Sequence, residues 1–245
     1  MTTHTSPRAV LFDIDDTLVD TKGAFRHAFA TAAAAYLEDA VDVDILTATW
    51  RTDAGGHYRA HTRGEIDYRE QRKRRANELH AIYGGPELDD YAYDEWNLGF
   101  ERAFREGWRA HPDAAACLEF LDAVGIPYGA LSNAAVAYQE AKLAAAGLDN
   151  VPMLVGVDTL GFGKPDPRVF ALAAERIGVA PQHIAYVGDE YDIDAVAAIA
   201  AGMRGVWLDR PGGHSVGREQ SRPDAGVTRI AGLAELGSAL GLGPA

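Results

Sequence analysis

The sequence predicts an α/β fold: a doubly wound, parallel-sheet (Rossmann-like) core with an all-helical insertion after the first strand. Three observations predict it. Short apolar runs of strand length alternate with helical stretches of ten or so residues, the pattern of βαβ units. The first run is continuous rather than alternating, as a strand buried on both faces requires. Between residues 21 and 108 nothing reads convincingly as a strand, and helical spacing prevails. The core is placed at 1–20 and 109–245 and the helical block at 21–108.

The elements follow in order. Residues 8–12 form the first strand. Residues 21–38 are Ala-rich, with Ala24, Phe25, Ala28 and Phe29 on one helical stripe. A charged helix at 67–83 stops at Gly84-Gly85-Pro86. A helix at 89–108 spaces Trp96, Phe100 and Phe104 by four. The chain then alternates: helix 112–124, strand 126–131, helix 134–146 ended by Gly147, strand 152–157, helix 167–177 ended by Gly178. Strand 183–187, helix 193–201 ended by Gly202, strand 205–208 and a short helix at 233–240 complete the pattern.

The 245 residues suffice for a large core, with 47% hydrophobic and 24% charged residues, as in soluble globular proteins. A formal net charge of -13 repels a polyanion, which argues against a nucleic-acid partner. An anionic small substrate then needs a local cation. The single cysteine, Cys117, excludes an intrachain disulfide and falls in an apolar helical stretch, so it is read as core. The N-terminus shows no signal-peptide pattern and no stretch has the length of a membrane span, so the expected location is the cytoplasm, with no membrane partner.

Chemistry concentrates at the ends of the predicted strands, where open parallel sheets bind ligands. Asp13 and Asp15 follow the first strand, Ser132-Asn133 the second, and Asp189-Glu190 the IAYVG strand. Gly163-Lys164-Pro165-Asp166-Pro167 follows the third strand after a short loop. Carboxylates at the mouth of a buried strand are costly unless something cationic or reactive uses them. One carboxylate can attack a phosphoryl group and a second can serve as acid and base. Mg²⁺ is a hard cation suited to oxygen ligands, and a lysine with hydroxyl or amide donors can hold phosphoryl oxygens.

Read in order, Asp13-Ile14-Asp15-Asp16-Thr17, Ser132 in ALSN, Lys164 in GKPDP, and Asp189 with Asp194 in GDEYDID resemble the four motifs of the haloacid dehalogenase-like (HAD) hydrolases. The resemblance extends to residues 200–212 and to the VTRIAGLAEL segment. It implies a Mg²⁺-dependent phosphatase of small soluble phosphate esters. Asp13 is then the nucleophile and Asp15 the general acid/base, while Ser132, Asn133 and Lys164 bind the phosphoryl group. Asp13, the backbone carbonyl of Asp15 and Asp189 hold Mg²⁺, with Asp194 nearby. The helical block matches the position of the family's cap. Two departures stand out. Glu190 occupies a place where relatives often have a small residue, so it is either a further carboxylate or a solvent-facing one. The dehalogenase branch has an aromatic-Gly pair where this chain has Asp15-Asp16, and releasing an alkoxide needs an acid whereas releasing a halide does not. A 2-haloacid dehalogenase and a catalytically idle binding protein stay as alternatives. The expected partner is a small phosphorylated metabolite, the expected assembly a monomer or homodimer.

Other features read as structural. Ser132-Asn133 is expected to cap the following helix as well as serve the site. His57 and His61 lack a third metal ligand and read as exposed helix residues. Arg72-Lys73-Arg74-Arg75 lies among acidic residues and reads as a solvated face. Arg59, Arg63 and Arg69 are left open as contacts for an anionic substrate.

Overall fold

The structure, a computed structural model, describes residues 6–37, 41–211 and 226–243. Glu38, Gly212 and the first five residues, on which parts of the reading above fall, lie outside these. The chain divides into two compact units, Met1–Val19 with Ala110–Ala245, and Asp20–Arg109. Its strands and α-helices run β1 (Ala9–Phe12), α1 (Thr21–Tyr36), α2 (Val43–Thr52), α3 (His57–Thr62), α4 (Tyr68–Tyr83), α5 (Asp90–Glu106), α6 (Ala114–Ala123), β2 (Tyr128–Leu131), α7 (Val136–Ala145), β3 (Leu154–Val155), α8 (Pro167–Ile177), β4 (Ile184–Gly188), α9 (Ala197–Ala200), β5 (Arg204–Leu208), β6 (Thr228–Ile230) and α10 (Leu236–Leu240). Among the described residues no helix is long and apolar enough to cross a membrane.

In the first unit six parallel strands form one sheet in the order β3-β2-β1-β4-β5-β6. β1, β2 and β4 are buried at every position because helices cover both faces of the sheet. The two-residue side-chain period divides them. Val10, Phe12, Ala185 and Val187 pack on α6, through Cys117, Leu118 and Leu121, and on Leu233, Leu236 and Leu240. Leu11, Ile184 and Tyr186 pack on the other face against Val169, Phe170 and Ala173 of α8. From β1 the chain builds outward to β2 and β3, then returns to build β4, β5 and β6 on the other side. The carboxyl ends of β1 and β4 therefore flank the switch point at which ligands bind in such sheets.

The differences from the expected elements have local causes. β6 is absent from the sequence reading because only three residues form it and Arg229 is exposed, so no apolar run marks it. β3 keeps two of six expected residues. Gly156 turns the chain away, where a Cβ would lie 2.6 Å from the Ala134 carbonyl oxygen. The helix expected at 193–201 is a π-helical turn, Tyr191–Val196, followed by α9.

Among its described residues the second unit has five helices, of which α2 and α3 go beyond the sequence reading. Asp20, Asp42, Asp67 and Asp89 cap α1, α2, α4 and α5, each accepting a backbone N–H of the first turn. Phe25, Phe29, Trp50, Trp96, Phe100 and Phe104 form its aromatic core, with Trp96 and Phe100 stacked at 4.7 Å. The 72–75 run is not one solvated face. Arg72 is buried over the Phe100 ring and pairs with Glu101 at 3.3 Å. Arg75 stacks on Trp50 and donates to its carbonyl at 2.6 Å. Planar guanidinium groups tolerate such aromatic burial, whereas the ammonium of Lys73 stays with exposed Asp90. His57 and His61 are half-buried rather than exposed: His57 bonds Glu78 at 2.9 Å and His61 the Ile66 carbonyl at 3.1 Å. Arg63 is held by Glu65, and Arg69 by Asp90 and Asp94.

Candidate active site

β1 delivers Asp13 to the rim with little freedom. Its N–H continues the ladder to the Val187 carbonyl at 2.8 Å, one step past the last strand residue. The chain then turns tightly. The Ile14 carbonyl accepts from Thr17, Leu18 and Val19, and Asp16 adopts φ +57°, a conformation that Asp tolerates better than most residues. Arg210 fixes this turn, forking Asp113 at 2.8 and 2.9 Å and donating to the Thr17 carbonyl at 3.0 Å.

Lys164 reaches Asp13 from the loop after β3. Its ammonium carries three N–H donors, and all are used: Asp13 Oδ1 at 2.7 Å, Asp194 Oδ1 at 2.7 Å and Tyr186 Oη at 2.8 Å. Tyr186 Oη in turn donates a hydrogen bond to the Leu131 carbonyl at 3.0 Å. The lysine's backbone is clamped by Asn133, whose amide accepts from Lys164 N at 2.6 Å and donates to Lys164 O at 2.9 Å. Gly163 permits this approach, since a Cβ would lie 2.2 Å from Asn133 Oδ1. Asn133, expected to hold substrate, is thus engaged with the lysine loop.

Asp189 follows β4, and Asp194 enters from the π-helical turn. Asp194 Oδ2 accepts the Glu190 N–H at 2.9 Å, and Gly188 is required here because its Cβ would meet Asp194 at 2.2 Å. The Glu190 side chain is exposed. Asp13, Asp189 and Asp194 each place a carboxylate oxygen within 4.8 Å of the others. Burial raises the Asp13 carboxyl to about 8, with Asp194 and Asp15 adding to the rise against the pull of Lys164. Burial also pushes Asp189 well above the carboxylate range, with Asp16, Asp194 and Asp13 adding repulsion. Lys164 is held above its ordinary value, burial being outweighed by Asp13 and Asp194. Three crowded carboxyl groups share one ammonium and, without a further cation, keep protons they would otherwise lose; an all-oxygen donor set of this kind fits a hard divalent cation.

Asp15 and Ser132 form a second, linked cluster. Asp15 Oδ1 accepts from Lys142 Nζ at 2.5 Å, and Asp15 Oδ2 from Gln139 Nε2 at 2.6 Å. The same Gln139 nitrogen donates to Ser132 Oγ at 2.7 Å. Ser132 and Asn133 do not cap the following helix. Its first N–H, Val136, goes to Asp158 Oδ1 at 3.0 Å, and the hydroxyl of Ser132 stays with Gln139 and the Ala134 N–H. The sequence reading missed Tyr186, Gln139 and Lys142. Tyr186 is hidden in an apolar strand. The three-residue spacing of Gln139 and Lys142 places them on one helix face, the only available signal.

This rim, on a sheet of this strand order, belongs to a hydrolase class. The family model for haloacid dehalogenase-like hydrolases matches residues 7–202, and the chain is a member of that family. It is 31% identical to the phosphoglycolate phosphatase of Escherichia coli K12 over 229 residues, covering 89% of this chain and 87% of that one. It is 41% identical to the phosphoserine phosphatase of Thermus thermophilus over 113 residues, where the match spans 45% of each chain. Among solved structures, the HAD-hydrolase YfnB from Bacillus subtilis, bound to magnesium, superposes with TM-score 0.77 at 22% identity, over 97% of this chain and all of that one. The L-2-haloacid dehalogenase PA0810 does so with TM-score 0.73 at 24% identity over the same shares. At these identities the two likenesses concern the fold.

Proposed function

We propose that the protein is a magnesium-dependent phosphatase that hydrolyses small soluble phosphate monoesters through an aspartyl-phosphate on Asp13. The observation that carries the reading is the Asp13 carboxylate at the sheet's switch point, bonded to Lys164 and crowded by Asp189 and Asp194, with Asp15 two residues on. The phosphatase names of the relatives point the same way.

An Asp13 oxygen attacks phosphorus while the ester P–O bond breaks. The departing alkoxide takes a proton from the Asp15 carboxyl. Lys164 and Ser132 hold the non-bridging oxygens as their charge grows. Asp15, now a carboxylate, takes a proton from water. The water oxygen attacks phosphorus, the Asp13 O–P bond breaks, inorganic phosphate leaves and Asp13 is regenerated. Asp13, Asp189 and the backbone carbonyl of Asp15 would hold Mg²⁺, with Asp194 beside them. When bound, the ion supplies the positive charge that offsets repulsion between a carboxylate and an anionic phosphoryl group.

Asp15 favours this reading over a haloacid dehalogenase, because a halide leaves without a proton. The cluster of Asp13, Asp189 and Asp194 with Lys164 favours it over an idle binding protein, since packing alone gives no reason to hold three carboxylates together. The reading includes a small phosphorylated metabolite rather than nucleic acid or membrane as partner, action in the cytoplasm, and a monomeric or homodimeric enzyme. The test is phosphate release from para-nitrophenyl phosphate with Mg²⁺ and with EDTA, alongside Asp13→Asn. Release that needs the metal and vanishes in the folded variant is expected. Full activity in Asp13→Asn, or turnover of 2-chloropropionate but of no phosphate ester, overturns it.

A further inference from the structure

Lys142 is 2% exposed and Gln139 is 0% exposed, both on the first two turns of α7. Burying an ammonium is costly unless a charged partner and good geometry offset the desolvation. The partner here is Asp15. Gln139 points one nitrogen at both Asp15 Oδ2 and Ser132 Oγ. No protein donor among the described residues reaches its oxygen Oε1, so Asp15 and Ser132 alone fix the orientation of the amide. Turning the amide over would set Oε1 against a carboxylate. Both Asp15 oxygens are therefore claimed from one helix face, and that helix follows Ser132 at the end of β2.

We infer that Lys142 and Gln139 are positioning residues that orient the Asp15 carboxyl toward the leaving group and tie it to Ser132. The inference rests on the phosphatase reading of Asp15. An acid bonded at both oxygens has few rotamers left, so it stays aimed rather than swinging into solvent. Gln139 makes the proton donor and the phosphoryl-binding hydroxyl one rigid unit. Neither residue need touch substrate.

The test compares wild type, Lys142→Met, Lys142→Arg and Gln139→Met on para-nitrophenyl phosphate and on phenyl phosphate, similar in shape. Phenol leaves with a pKa of about 10, and nitrophenol is far more acidic and needs little help from an acid. A positioned acid contributes roughly 10²–10⁴-fold. Lys142→Met and Gln139→Met are expected to lose about tenfold more kcat/KM on phenyl phosphate than on the nitrophenyl ester, a part of that contribution. Lys142→Arg is expected to keep the wild-type ratio. Equal loss on both esters means a merely structural role and overturns the inference. If Lys142→Met does not fold, Gln139→Met carries the comparison.

A thermal cycle of Asp15→Asn, Lys142→Met and their double variant gives a readout apart from activity. Removing Lys142 alone strands a carboxylate, so the double variant is expected to lose at least about 3 °C less than the sum of the singles. Additive shifts overturn the inference. Wild type that cleaves neither ester refutes the phosphatase reading itself, and the thermal cycle still decides whether Lys142 holds Asp15.

Discussion

Tyr186→Phe isolates a contact that no sequence motif names. The hydroxyl is fully buried, accepts from Lys164 Nζ at 2.8 Å and donates to the Leu131 carbonyl at 3.0 Å. The ring meets Phe170 edge-on, and phenylalanine keeps that packing. The substitution therefore removes these two hydrogen bonds and a longer one, 3.4 Å, to Asp194 Oδ1. A hydrogen bond to a charged group is worth about 1.5–3 kcal/mol and an ordinary one about 1 kcal/mol, so the loss is roughly 2–4 kcal/mol. In a chain of this size each kcal/mol moves Tm by about 2–4 °C, giving a fall on the order of 5–15 °C by differential scanning fluorimetry. Lys164 retains Asp13 and Asp194, so kcat for nitrophenyl phosphate is expected to fall far less than in Lys164→Ala, which strands two buried carboxylates. A Tm change under about 1 °C means that the hydroxyl is not bonded as described. A kcat loss equal to that of Lys164→Ala means that Tyr186, and not the carboxylates, sets the lysine's place.

Three further outcomes are expected. Gly188→Ala leaves no room for Asp194, whose carboxyl lies 2.2 Å from the new Cβ, so the variant is expected to lose activity and most of the Mg²⁺-induced rise in Tm; wild-type behaviour in both refutes the packing. Cys117 is buried with its thiol pushed up to about 12 by burial, and Ellman's reagent at pH 8 is expected to label it only after denaturation; full labelling of folded protein within minutes contradicts this. Burial lowers the His80 pKa against the hydrogen bond from its ring to the Pro86 carbonyl. The unfolded chain takes up the proton near 6.5 and the folded one resists, so this group's contribution is present above about pH 6.5 and is lost below it. The urea midpoint is expected to drop between pH 7.5 and 5.5, and less so in His80→Asn; an identical drop in both assigns the effect elsewhere.

The fold was legible because period and punctuation agree along the core. An apolar run such as AVLF, followed by alternating helices and strands, fits a doubly covered sheet, and Gly147, Gly178 and Gly202 mark helix ends at the left-handed conformation they adopt. What escaped was short or context-bound. β6 is three residues long, and its pairing to β5 is a tertiary fact. Arg72 and Arg75 read as solvated because a charge pattern cannot show which guanidinium an aromatic cluster will cover.

The site divides along the same line. Asp13 and Asp189 stand out because each ends an apolar run at a strand end, whereas Lys164 and Asp194 were read through their resemblance to the family's motifs. Tyr186, Gln139 and Lys142 were not legible, because each fits its element: tyrosine suits a strand, and a glutamine and a lysine suit a helix surface. Their meaning lies in the partner, and each partner is distant in sequence, 22 residues for Tyr186 and Lys164 and 127 for Lys142 and Asp15. Sequence patterns therefore point to the groups of the proposed chemistry, and the contact map to the residues packed against them. That is why the sharpest tests fall on residues without a motif: removing them leaves the chemical groups in place and perturbs only their aim.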